Sequence, residues 1–156
     1  MDPVPTFLIA EAGSAEARWA LQQYFDELAG RFDGGFVIGD ALDEAAALYN
    51  EPTGRFLLAS LEGEIVGCGA VVFLDADTAE IKRMWVSPTS RGIGLGSRLL
   101  DRLEHELQLA GRRSVVLDTN EALTEAIAMY EAAGYRPTDR YNDNPYAHHW
   151  FTKSLT

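Results

Sequence analysis

The stretch Val86-Ser87-Pro88-Thr89-Ser90-Arg91-Gly92-Ile93-Gly94-Leu95-Gly96 decides how the rest of the chain is read. Before it, Ala79 to Val86 alternates loosely and reads as a strand that ends at Ser87-Pro88, since proline has no N–H for a sheet ladder. After it, Leu95, Leu99, Leu100, Leu103 and Leu107 recur on one face of a helix that stops at Gly111. A strand running through a glycine-rich turn into a helix aims several backbone N–H groups, and the positive helix end, at one point. An anion such as a phosphate fits that point. Glycine lets it approach the backbone, and Arg91 and Arg98 add charged donors beside it.

Two other phosphate loops fail on their residues. A nucleoside-triphosphate P-loop ends in Gly-Lys-Ser/Thr, whereas Gly96 is followed by Ser97-Arg98. A dinucleotide fingerprint is closer, because Asp118 ends a strand at a suitable distance, but its third glycine falls on Ser97 or Leu99. The polar Glu80, Lys82 and Arg83 are also unlike the apolar run of a buried parallel strand.

Outward from the loop, the chain reads as alternating elements. Thr6 to Ala10 is a short strand, and Ser14 to Gly30 an amphipathic helix with Ser14 as its N-cap. Asp40 to Tyr49 reads as a shorter helix. Arg55 to Leu61 and Glu64 to Leu74 form a hairpin turning at Glu62-Gly63. Beyond the leucine helix, Ser114 to Leu117 is a strand, and Leu123 to Tyr130 traces a helix closed by Gly134. Tyr135 to Tyr141 and Ala147 to Leu155 read as a final strand pair. The order predicts an α+β (mixed α/β) fold, with a mostly antiparallel, twisted sheet of about seven strands and about four helices.

Bulk properties bound the function. The 156 residues, 47% of them hydrophobic, suit a single domain over 1–156. A formal net charge of −11 argues against nucleic acid or an anionic membrane as partner. The single Cys68 excludes an internal disulfide and, with no signal-like start or membrane-length apolar run, predicts a cytoplasmic protein. His148 and His149 are adjacent in a predicted strand and point to opposite faces, so no metal site is expected. His105 falls on the polar side of the leucine helix, and Cys68, between two glycines, reads as a small core residue.

The glycine run resembles the acyl-CoA-binding motif of the GNAT acetyltransferase superfamily, Arg/Gln-x-x-Gly-x-Gly/Ala after a strand, with Arg91, Gly94 and Gly96 at the named positions. The resemblance extends from about Arg55 to Leu155, through the hairpin, the Ala-Glu-Ile-Lys-Arg-Met-Trp-Val strand and Ala-Ile-Ala-Met-Tyr-Glu-Ala-Ala-Gly-Tyr. It implies acetyl-CoA as co-substrate, without a metal. The backbone of Gly92, Ile93, Gly94, Leu95, Gly96 and Ser97 would hold the pyrophosphate. Met84, Trp85 and Val86 would pair with the pantetheine arm and direct an N–H at the thioester oxygen, where charge develops as an amine attacks.

The same resemblance gives Tyr130 as the acid for the leaving thiolate, against the alternative of a core tyrosine. Glu80 is a candidate base, or else a strand carboxylate paired with Lys82 or Arg83. The family's asparagine seven residues before the tyrosine is Leu123 here, which leaves Asn120 as a candidate for the CoA arm. Acceptors enter such folds between the N-terminal helices and the C-terminal strands, so Tyr24, Phe25, Tyr141, Tyr146 and Trp150 are candidate acceptor-binding residues, with Phe32 and Phe36 beside them. Asp26, Asp33, Asp139 and Asp143 read as acidic surface rather than as a polyamine site. The expectation is acetyl transfer to a primary amine of a small molecule. A peptide amine as acceptor, a non-catalytic acyl-CoA sensor and a homodimer stay open.

Overall fold

The computed structural model describes residues 3–156. Strands β1 (Thr6–Ala10), β2 (Gly54–Leu61), β3 (Glu64–Phe73) and β4 (Thr78–Val86) form an antiparallel meander. Strand β5 (Ser114–Thr119) lies parallel to β4, and β7 (His149–Ser154) runs antiparallel between β5 and the two-residue β6 (Arg136–Pro137). The sheet order is β1-β2-β3-β4-β5-β7-β6. Helices α1 (Ala15–Arg31) and α2 (Ala41–Leu48) cover one face, and α3 (Leu95–Leu109) and α4 (Thr124–Ala132) the other. Seven strands and four helices in a mixed sheet match the expectation.

Local chemistry accounts for the main elements. Ser14 caps α1, its hydroxyl accepting from Ala17 N at 3.2 Å, and the helix buries Ala17, Ala20, Leu21, Phe25 and Leu28. Central strands are covered on both faces. Phe56, Leu58, Cys68 and Ala70 pack beneath α1, while Leu57, Val71 and Ile81 pack beneath α3. That two-sided burial is why β2 and β3 read as apolar runs rather than clean alternations.

The loose alternation of β4 has a specific cause. Between the pairs Ala70↔Lys82 and Cys68↔Trp85, β3 advances two residues while β4 advances three, which is a β-bulge. Arg83 occupies it at φ 58°, a conformation that non-glycine residues seldom adopt. Pairing between β4 and β5 also stops early, at Glu80↔Val116, although β5 continues with β7 to Thr119↔His149. From Ile81 onward the two parallel strands separate, and a gap opens through the middle of the sheet.

The tail departs from the expected strand pair. Only Arg136 and Pro137 join the ladder on that side, followed by one further bond from Thr138 N to Trp150 O at 2.9 Å. Asp118 explains the departure, because its carboxylate holds the side-chain amides of Asn142 and Asn144, at 2.5 and 3.1 Å, and draws the segment into a loop over the gap. His148 accordingly sits before β7 rather than within a strand, with Nδ1 accepting from Glu121 N at 3.1 Å.

Candidate active site at the sheet gap

The glycine loop is built to present donors. Gly92 and Gly94 have φ of 84° and 80°, a region glycine enters without strain. Gly94 is the N-cap of α3 and offers no side-chain cap, so the first-turn N–H groups are left open. Among the described residues, no backbone N–H from Arg91 to Ser97 donates to a protein acceptor. A ring of unpaired donors at a helix N-terminus fits an anion, so the residues present suit a pyrophosphate. Gly96 serves close packing instead, since a Cβ there would stand 3.1 Å from Met129 Sδ of α4.

Beside this loop lies a cavity of about 310 Å³ bounded by Gly92, Gly94, Gly96, Ser97, Met84 to Val86, and residues of α1 and α4. Its rim is an ion-pair chain: Glu27 holds both Arg91 and Arg31, and Arg31 reaches Glu125 at 2.7 Å and the carbonyl of Ala122 at 3.0 Å. Arg91 also donates from Nε to Val86 O at 3.1 Å. Its guanidinium is therefore tied to α1 and to the end of β4 while it lines the loop-side cavity.

A second cavity of about 360 Å³ lies across the gap, roofed by aromatic side chains. The Tyr146 ring lies tilted, 4.6 Å from that of Phe36 and 5.9 Å from that of Phe32, and its Oη accepts from Val37 N at 3.1 Å. The two cavities share Tyr24, Leu28, Met84, Leu123, Ala126 and Tyr130 as lining. Tyr130 is buried at that junction with its hydroxyl 3.8 Å from Met84 Sδ. Burial pushes its hydroxyl above the ordinary tyrosine value, and the Tyr24 hydroxyl is raised for the same first reason, so both stay protonated at neutral pH.

The charged groups of the aromatic cavity were not expected there: the sequence offered Lys82 and Arg83 only as partners for Glu80, and Asp118 only in the rejected dinucleotide reading. Lys82, Arg83, Asp118 and Glu44 all line it, Glu44 from the exposed side of α2. The only advance signal for Arg83 was the irregular alternation of β4, which the bulge produces. For Asp118 it was a polar residue at a strand end.

The remaining candidate residues divide by position. Met84 and Val86 line the loop-side cavity, and Trp85 touches it while its indole packs on the opposite face, 5.9 Å from Trp19. Leu95 and Ser97 line it as well, whereas the Ile93 side chain is exposed. Asn120 is on the other side of the junction. It borders the aromatic cavity, and its amide donates to Tyr146 O at 2.7 Å and accepts from Ala122 N at 2.8 Å.

Glu80 borders neither cavity. It is buried, accepts from Tyr141 Oη at 2.5 Å and pairs with Lys82 Nζ at 3.6 Å, the strand-pair alternative for this residue. Tyr141 lines neither cavity. Phe25 is core beneath Arg83, and Trp150 is held outside by Asn142 Oδ1 at 3.0 Å and by Arg140 over its ring. Of the five candidate acceptor residues, Tyr24 and Tyr146 line the aromatic cavity.

A phosphate-type loop joined to a second cavity across one buried tyrosine is the layout of a two-substrate group transferase. Residues 18–135 match the Acetyltransferase (GNAT) family, and the chain belongs to that family. It is 31% identical over 141 residues to an uncharacterized N-acetyltransferase, YjgM, of Escherichia coli K12, covering 88% of this chain and 84% of the relative. It is 40% identical over 97 residues to an IAA acetyltransferase of Azospirillum brasilense, a match spanning 62% of each chain, so less than two thirds of that relative is covered. A GNAT acetyltransferase crystal structure from Staphylococcus aureus Mu50 superposes with a TM-score of 0.84 at 17% identity, covering 98% of this chain and 100% of that one. Among the described residues there is no group of three or more His, Cys, Asp or Glu placed to hold a metal, and no helix long and apolar enough to cross a membrane.

Proposed function

We propose that this chain moves an acetyl group from acetyl-CoA to the primary amine of a small molecule by direct attack of the amine on the thioester. The observation that carries the reading is the junction itself. Two cavities meet at Met84 and Tyr130, where β4 has left β5 and its edge is free. When bound, acetyl-CoA supplies an acyl carbon activated as a thioester.

The residues divide the work. Backbone N–H groups from Gly92 to Ser97 grip the pyrophosphate, and the open edge of β4 near Met84 to Val86 pairs with the pantetheine arm and stabilises developing negative charge on the thioester oxygen. The amine nitrogen forms the new C–N bond as the C–S bond breaks. Tyr130 Oη–H gives its proton to the departing sulfur, a role suited to a hydroxyl that burial keeps protonated. An ammonium sheds one proton before attack and the new amide nitrogen sheds another. Asp118, the less exposed of the two carboxylates lining the acceptor side, receives them; one passes to solvent and the other replaces the proton that Tyr130 gave to sulfur. We read the compartment as cytoplasmic on the same ground as before, a lone and buried Cys68.

The test is a thiol-release assay with acetyl-CoA against amino acids, polyamines, aminoglycosides, arylamines and peptides, run beside thermal melts with CoA. Thiol release with a small amine is the expected result. A melting temperature raised by CoA with no release from any amine would sink the enzymatic reading and leave a sensor.

A further inference from the structure

On the acceptor side, Arg83 has no carboxylate within ion-pair distance among the described residues. Its Nε–H donates to Tyr49 Oη at 3.2 Å, and its guanidinium lies over the Phe25 ring at 5.0 Å and the Tyr24 ring at 5.9 Å. These contacts hold the stem and one edge of the fork. The other hydrogen-bond neighbour of the guanidinium is the Tyr24 hydroxyl, so its polar side-chain partners are two neutral phenols. The backbone that carries it is held at φ 58° in the bulge, with Arg83 O accepting from Cys68 Sγ at 3.4 Å. Neighbouring Lys82 is balanced by Glu80, so Arg83 is the unmatched cation of this cavity.

A guanidinium largely withdrawn from water, rigidly placed and without a counter-charge, is costly unless an anion meets it, and its planar fork matches a carboxylate. Asp118 lines the same cavity, its carboxylate fixed by Asn142 and Asn144. One cavity thus presents a fixed cation and a fixed anion. We propose that the acceptor is an amine that also bears a carboxylate, an amino acid in the first instance, with its carboxylate on Arg83 and its ammonium toward Asp118. This rests on the transferase reading above and narrows its acceptor. The tyrosine and phenylalanine rings around the pair admit an apolar or aromatic substituent.

The test compares matched acceptors in thiol release: amino acids, their methyl esters, and the amines left when the carboxylate is removed. Carboxylate-bearing acceptors should exceed their partners in kcat/KM by about 100-fold, the scale for truncating one member of a buried charge pair. Arg83→Gln should abolish that preference, chiefly through KM, and Arg83→Lys should restore part of it. A retained rise in melting temperature with CoA verifies that each variant is folded and holds its donor site. Thermal melts of the CoA-saturated parent with each acceptor supply a readout independent of turnover. Equal stabilisation by amino acids and their decarboxylated amines, or equal rates for both, overturns the proposal. Selective stabilisation by amino acids without any thiol release upholds it and sinks only the chemistry.

Discussion

At the scale of single residues, the glycine loop and Tyr130 give the sharpest expectations. Tyr130→Phe removes one hydroxyl from a buried ring whose other contacts, with Tyr135 and Phe151, remain. It should lower kcat by about 100-fold while leaving the CoA-induced rise in melting temperature intact; unchanged turnover would remove Tyr130 from proton transfer. Gly94 and Gly96 should part company. Gly94→Ala forces a Cβ onto a φ of 80° and should cost about 1–2 kcal/mol in urea denaturation, with weaker CoA binding. Gly96→Ala meets the flexible end of Met129 and should cost much less. The loop was legible because its function is a backbone function, written in where glycine stands. Arg83 was not, because whether a strand residue faces a cavity depends on a bulge set by its pairing with β3. Glu80 shows the converse. Its position in the sequence suits a base, but Tyr141, sixty-one residues away, occupies its carboxylate.

At the scale of elements, α3 carries more than its leucine stripe. Glu104 is buried and accepts from Tyr135 Oη and Lys153 Nζ, both at 2.8 Å, which ties the helix to the end of α4 and to β7. Glu104→Ala leaves a hydroxyl and an ammonium facing an empty site and should cost about 2–4 kcal/mol, read as a lower urea midpoint with an unchanged m-value. A midpoint within error of the parent would assign the pairing no part in holding α3. Helical periodicity located the apolar face of α3 but could not reveal that Glu104 and Glu106 are covered too, since their partners come from Tyr135, Lys153 and Arg55. The short β6 has a similar origin. Pro137 can offer no N–H to extend the ladder, and Asp118 competes for the segment that follows by binding Asn142 and Asn144.

At the scale of the whole molecule, buried phenols link stability to alkaline pH. Burial is the leading cause of raised hydroxyl values at Tyr24, Tyr130 and Tyr135, with Glu104 adding to Tyr135. The unfolded chain therefore loses these protons first, near the ordinary value of 10.0. Their contribution is full below that pH and is lost as pH rises toward the folded values. The urea midpoint should fall from about pH 10 upward, and a flat midpoint through pH 11 would contradict the burial assigned to these rings. The order of strands and helices was readable throughout because local period and turn chemistry dictate it, whereas the gap between β4 and β5 is a property of the assembled sheet. That gap has a further consequence. Since the two cavities use the same six residues as their common wall, space given to a longer acyl chain is taken from the acceptor. Acyl-chain length and acceptor bulk are thus competing variables in a single volume, and a substitution such as Met84→Ala should relax both tolerances together rather than one alone.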